Sequence, residues 1–151
     1  MKRPKDFEYA KWLAQYYLSF RMHTKREIAD KLRKKEVDER IIKECIEFLE
    51  ENKYIDDYDY ACRYIKDAVN LKKYGRGKIT QKLLLKGINN DIINKAFYEI
   101  DIDNKPTLLK LIEKRKDSEQ QKTINYLRGR GFYYTEIKEA LDEFTEQNNS
   151  N

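Results

Sequence analysis

Residues 6–50, DFEYAKWLAQYYLSFRMHTKREIADKLRKKEVDERIIKECIEFLE, slide by 51 positions onto residues 57–101, DYDYACRYIKDAVNLKKYGRGKITQKLLLKGINNDIINKAFYEID, without a gap. The overlap holds 9 identities in 45 positions: Asp6/Asp57, Tyr9/Tyr60, Ala10/Ala61, Ile28/Ile79, Lys31/Lys82, Leu32/Leu83, Lys35/Lys86, Ile41/Ile92 and Ile42/Ile93. Val37/Ile88, Cys45/Ala96, Ile46/Phe97 and Leu49/Ile100 match in kind. A second slide of 44 positions sets Gly87 and Ile88 on Gly131 and Phe132, Leu83 on Leu127, Ile93 on Ile137 and Ala96 on Ala140. Three copies of one unit therefore fill nearly the whole chain. A period in this range reads as a repeat architecture, in which a unit too small to bury its own apolar face stacks on its neighbours.

Within each copy the apolar spacing is helical. Ala10, Leu13, Ala14, Tyr17 and Leu18 form an i, i+3, i+4, i+7, i+8 stripe over a helix from Asp6 to about Phe20. Thr24 and Glu27 have capping-box spacing at the start of a second helix with Ile28 and Leu32 inward. Asp38 is placed to cap a third, Glu39 to Asn52, whose stripe is Ile42, Cys45, Ile46 and Leu49. In the second copy Asp56 or Asp57 caps a helix with Ala61, Ile65, Ala68 and Val69 inward. Gly75 and Gly77 are expected to break it, and Gly87 suits a left-handed turn after a short helix carrying Ile79 and Leu83. Asn89 or Asn90 caps a helix to about Ile100, and Asp101–Pro106 links to the third copy. That copy has helices near Thr107–Lys116, Ser118–Arg130 and Thr135–Thr145. The expected fold is all-α: an elongated, curved array of three tandem three-helix repeats at residues 6–53, 54–103 and 104–146, with a frayed tail at 147–151.

Composition narrows the function. Charged residues are 39% of the chain, its net charge is +5 and its mean hydropathy is −0.97, which favours an anionic partner without naming one. The lone histidine, His23, has no nucleophile in a recognisable context, so no catalytic site is assigned and no enzymatic activity is expected. No CxxC or Cys/His cluster exists, so neither a metal nor a cofactor is expected. Gly75-x-Gly77 lacks the third glycine and the preceding strand of a dinucleotide fingerprint. Two unpaired cysteines suit a reducing cytosol, hence a cytoplasmic location. Met1-Lys2-Arg3-Pro4 is basic but leads into no apolar run, so neither a signal peptide nor a membrane span is expected.

The cations are segregated by element. In and around the second helix of each copy lie Arg21, Lys25, Arg26, Lys31 and Lys35; then Lys72, Lys73, Arg76, Lys78, Lys82 and Lys86; then Arg128 and Arg130. The third helices are acidic, with Glu44, Glu47, Glu50 and Glu51 in the first copy. Stacked copies would line up their basic helices as a stripe able to follow a phosphate backbone or an acidic groove. The turn before each third helix has helix-turn-helix spacing. The residues that would read base edges are Asp38-Glu39-Arg40, Asn89-Asn90-Asp91 and Tyr133-Tyr134-Thr135, and acidic side chains there repel phosphate. Tyr16, Tyr74, Tyr133 and Tyr134 are the tyrosines free of the core stripes and available for stacking.

Four segments resemble the RecX family of regulators of the RecA recombinase. They are Tyr17-Leu18-Ser19-Phe20-Arg21 with Thr24-Lys25-Arg26-Glu27-Ile28 and Leu32; Tyr54-Ile55-Asp56-Asp57 with Tyr60-Ala61; Gly77, Ile79, Leu83 and Lys86-Gly87-Ile88; and Tyr126-Leu127-Arg128-Gly129-Arg130-Gly131-Phe132. Two positions depart from the family pattern, Lys53 where glycine is frequent and Gly129 where a basic or polar residue is more usual. The resemblance implies a non-catalytic protein that binds the RecA–DNA filament along its groove and restrains strand exchange, filament growth and stimulated repressor cleavage. It implies the RecA filament and its single-stranded DNA as partners, with no membrane association and a monomeric chain. Two other readings stay open: a helical module for single-stranded nucleic acid, and a scaffold whose partner is protein alone.

Overall fold

A computed structural model describes residues 3–150; Met1, Lys2 and Asn151, the outer ends of the basic leader and of the expected tail, lie outside the described residues. The fold is all-α, as the spacing predicts. Among the described residues there are nine α-helices: α1 (Phe7–Leu18), α2 (Lys25–Lys34), α3 (Glu39–Glu51), α4 (Asp57–Asp67), α5 (Arg76–Leu85), α6 (Asn90–Glu99), α7 (Lys105–Lys114), α8 (Gln120–Gly129) and α9 (Tyr134–Asn149). The last helix continues through Asn149, into the segment expected to fray.

The chain divides into two compact units, Met1–Arg63 with Leu83–Ala96, and Tyr64–Lys82 with Phe97–Asn151. In the first, α1, α2 and α3 pack on one another. Ala10, Leu13 and Ala14 meet Ile28, Ala29 and Leu32 and then Ile42, Cys45 and Leu49, with Val37 and Ile55 closing the core. Burial pushes the Cys45 thiol up to about 11, as befits a small apolar core residue. In the second unit α7 and α8 pack on α9. Leu108 and Ile112 meet Leu127, Phe132, Ile137, Ala140 and Leu141. Fully burying one such aliphatic side chain stabilises the fold by about 1.5–3 kcal/mol.

Cap chemistry starts the helices. Asp6 accepts from the Tyr9 amide, Asp38 from Arg40 and Asn89 from Ile92. Thr24 and Glu27 form the predicted box, at 3.2 Å from the Glu27 amide and 3.0 Å from the Thr24 amide. The two aspartates at the second copy's start divide their work. Asp56 accepts from the Asp59 amide and caps its own helix. The buried Asp57 instead accepts from the Lys25 amide at 3.0 Å, in the first turn of α2.

The expectation for Gly75 and Gly77 needs correcting. Helix α4 ends in a π-helical turn, Ala68–Lys72, closed by Lys73 in the left-handed region at φ 57°. Gly77 lies inside the first turn of α5. Their lack of side chains serves the chain itself. The Gly75 amide donates to the Arg130 carbonyl at 2.8 Å and the Gly77 amide to the Gly131 carbonyl at 2.9 Å. A Cβ on Gly75 would lie only 2.6 Å from the Gly131 oxygen.

Gly131 itself sits at φ +99°, and a Cβ there would overlap the Lys78 backbone nitrogen, whereas one on Gly129 would meet nothing within 4 Å. We expect Gly131→Ala to destabilise the fold by more than about 2 kcal/mol, because left-handed strain alone costs about 1–2 kcal/mol. Gly129→Ala should raise stability by about 0.5–1 kcal/mol through helix propensity. Thermal melts of the two variants should move in opposite directions; equal shifts would show that the glycine contact does not constrain the fold.

Candidate functional site

In the first unit the basic side chains gather where α2 begins. Thr24 Oγ1 donates to the Lys86 carbonyl at 2.7 Å, 62 residues along the chain, while accepting from Glu27. Arg26 packs its aliphatic stem against Gly87, where φ is +89° and a Cβ would lie 2.9 Å from Arg26 Cγ. The α2 N-terminus thus rests on the turn Lys86-Gly87. Several candidate cations there have partners within the unit. Arg21 pairs with Glu27 at 3.3 Å and Lys25 with Glu50 at 3.3 Å. Lys86 stands 6.0 Å from the Tyr60 ring centre. Arg26 and Lys35 are exposed and make no ion pair among the described residues.

His23 is buried beside this cluster. Its Nδ1 is 3.0 Å from the Arg21 carbonyl, which can only accept, so Nδ1 carries the proton. Its Nε2 then accepts from the Lys31 ammonium at 3.0 Å, and that ammonium also lies 4.7 Å from the Tyr17 ring centre. Lys31 is therefore committed to the interior. Burial would raise the Glu27 carboxyl, but the Thr24 amide and Arg21 outweigh it and hold the group below its usual range.

In the second unit the cations converge on Tyr74. Its ring centre is 4.4 Å from Lys78 Nζ, 5.3 Å from the Arg130 guanidinium carbon and 5.9 Å from Lys82 Nζ. Arg130 also donates to the carbonyls of Lys72 and Lys73, holding the turn that precedes α5. The Arg76 guanidinium carbon lies 4.6 Å from the Phe97 ring centre although the residue is exposed. Lys72, Lys73 and Arg128 are exposed, and none makes an ion pair among the described residues.

The two clusters are built on equivalent joints. Sliding Thr24 and Arg26 by 51 positions gives Gly75 and Gly77; sliding Lys86 and Gly87 by 44 gives Arg130 and Gly131. In each unit the start of a second helix rests on the left-handed glycine turn 54 to 62 residues further on. The structure thus brings Lys72, Lys73, Lys78 and Lys82 together with Arg130, which sequence spacing left in different copies. It also places Asp57 and His23 beside the first cluster. The signals for those two were indirect: an aspartate pair where one cap suffices, and a histidine immediately before a cap.

The comparisons with known proteins agree with this construction. Residues 10–49 match the family model described as RecX, first three-helix domain, and residues 56–96 that described as RecX, second three-helix domain. The chain belongs to the RecX family. A Regulatory protein RecX of Clostridium acetobutylicum is 35% identical over 157 residues, covering 95% of this chain and 72% of that relative. One from Streptococcus pneumoniae is 36% identical over 151 residues, covering 94% of this chain, which spans 58% of that relative's length. A crystal structure of RecX from Lactobacillus salivarius superposes with a TM-score of 0.80 at 28% identity, over 93% of this chain and 97% of that one. RecX is a family of regulatory proteins. Among the described residues no helix is long and apolar enough to cross a membrane, and no group of His, Cys, Asp or Glu could hold a metal ion.

Burial lowers the His23 pKa from its ordinary value, with the Arg21 and Lys31 charges adding to the effect. The folded protein therefore keeps the ring neutral where the unfolded chain begins to take up a proton, below pH of about 6.5. The stability that His23 contributes is present above that pH and is lost as pH falls toward the folded value. Urea midpoints at neutral and mildly acidic pH should show a smaller acid loss for His23→Gln than for the parent. An unchanged pH slope would show that the His23–Lys31 contact carries no linkage.

Proposed function

We propose that this chain regulates a RecA-type recombinase by binding its nucleoprotein filament and restraining strand exchange, filament growth and stimulated repressor cleavage. The observation that carries this reading is the recurrence of one joint, a helix start on a left-handed glycine turn, with a basic cluster around it in each unit. Membership of a family of regulators supports it. A partner made of protein and phosphate backbone suits cations of two kinds: those whose charged heads lie over aromatic rings, such as Arg76 and Lys78, and outward ones, such as Lys35, Lys72 and Arg128. On this reading the chain performs no chemistry, acts as a monomer in the cytoplasm, and uses three-helix repeats at 6–53, 54–103 and 104–146 as its contact units.

Lys35 and Lys72 are the sharpest probes, one in each unit, because both are exposed and neither packs on an aromatic ring. Arg76 and Lys82 are poorer ones, since substitution would also remove contacts with Phe97 and Tyr74. Lys35→Glu with Lys72→Glu should weaken co-sedimentation with assembled RecA–DNA filament by roughly tenfold, reversal of a charge pair being worth on the order of 1–3 kcal/mol. Glu44→Lys with Glu47→Lys, on the exposed acidic side of α3, should bind like the parent. The assay belongs at two salt concentrations, because phosphate contacts weaken steeply with salt whereas a protein-only interface does so less. Failure of the parent to sediment with filament would sink the reading. Salt-insensitive binding would assign the partner surface to protein alone.

A further inference from the structure

Beside Gly77 and Gly131 the second unit carries a cleft of about 450 Å³ that the joint itself creates. Its walls include Lys78, Gln81, Arg128, Gly129, Tyr133 and Tyr134, and no carboxylate lines it. The nearest acid along the chain, Glu136, is turned to other work. Its two oxygens accept from the Tyr133 amide at 2.8 Å and from the Asn104 side chain at 3.0 Å. No carboxylate of the lining therefore opposes Arg128 or Lys78, whose ammonium also lies 4.4 Å from the Tyr74 ring centre.

Three further features define what the cleft fits. Tyr133 and Tyr134 are each 51% exposed, far from the burial expected of core tyrosines. Tyr133 is nevertheless positioned: a Cβ on Gly77 would lie 3.4 Å from its Cε1, so the ring is seated against the first turn of α5. Gly129 has open space where its side chain would be, so a ligand can reach the backbone there. A volume of this size falls in the range of about 300–1,000 Å³ typical of small-ligand sites.

We propose that this cleft binds one nucleotide unit of a single strand, with the phosphodiester against Lys78 and Arg128 and the unpaired base on Tyr133 and Tyr134. An acidic peptide would use the cations but has no planar group for two presented rings. A duplex offers phosphates but keeps its bases stacked inside. Aromatic faces beside a cationic groove are the pairing that unpaired bases recognise, and stacking tolerates any base because each has a π-face. Gln81 can donate to and accept from a base edge. This inference rests on the function proposed above and names the nucleic-acid component that one of its surfaces would engage.

The test is fluorescence anisotropy with a labelled oligothymidine, an abasic strand of the same length, and a hairpin duplex, with polyglutamate as competitor. The full chain should bind oligothymidine roughly tenfold more tightly than the abasic strand, since stacking one base by such a side chain is worth about that factor or more. Tyr133→Ala with Tyr134→Ala should abolish this preference, Tyr134→Ala alone should reduce it, and Tyr133→Phe with Tyr134→Phe should retain it. Circular dichroism melts establish that each variant is folded. Equal affinity for the thymidine and abasic strands, a preference unchanged in both alanine variants, competition by polyglutamate matching that of the strand, or no binding at all would each overturn the proposal. Sedimentation of the same proteins with the assembled filament separates the two ideas. Filament binding without a base preference removes the cleft and leaves the filament reading standing; a base preference without filament binding does the reverse.

Discussion

The structure depends on a helix N-terminus resting on a left-handed turn. At Gly87 and Gly131 the backbone bends with positive φ, and the missing Cβ admits the start of another helix to within hydrogen-bonding distance. Two demands fall on each position, a conformation that L side chains resist and a space that any side chain would fill. The third member of the set shows which demand selects glycine. Glu36 occupies the corresponding place in the first copy at φ 60°, yet it is exposed and pairs with Lys5 at 3.3 Å. Left-handed conformation by itself is tolerated there because no helix rests on it. Close approach is what makes glycine necessary at the other two.

The same joint organises the charge. A helix start is the positive end of a dipole, and burying it without a partner leaves amide donors unsatisfied. The first unit meets this with Thr24, Glu27 and the distant Asp57, and the second with direct amide–carbonyl bonds from Gly75 and Gly77. Asp57 is held where burial raises its pKa against the opposing pull of the Lys25 amide and charge. Its carboxylate accepts from the Lys25 amide in the first turn of α2. The cations around each joint then divide between those that pack and those that face outward. Lys31 and Arg130 use aromatic rings or acceptors within the fold, while Lys35, Lys72 and Arg128 extend into solvent. A run of lysines in the sequence therefore overstates the number of charges offered to a partner.

A second aromatic surface lies along α1, where Trp12 and Tyr16 stack with centroids 6.1 Å apart and Phe20, just past the helix end, meets Tyr16 edge-on at 5.0 Å, all three at least half exposed. The i, i+4 spacing on the outward face brings Trp12 and Tyr16 together. Charge reaches it as the Arg3 guanidinium, 5.2 Å from the Trp12 ring centre.

The sequence by itself determined the all-helical fold, the capping residues Asp6, Thr24 and Asp38, the inward stripes and the family. All of these are local: caps act within one turn, and a 3.6-residue period shows which face of a helix turns inward. The slides also located the glycine turns, because insisting on the same residue at the same offset exposes a backbone requirement. Only the tertiary structure decided which groups use those turns. That Asp57 reaches Lys25, that Gly75 packs against Gly131, and that Arg130 closes over Tyr74 are contacts between residues 32 to 56 positions apart. A side chain's charge is written in the sequence. Whether it faces solvent or a neighbour's ring depends on how distant helices come together, and no local period encodes that distance.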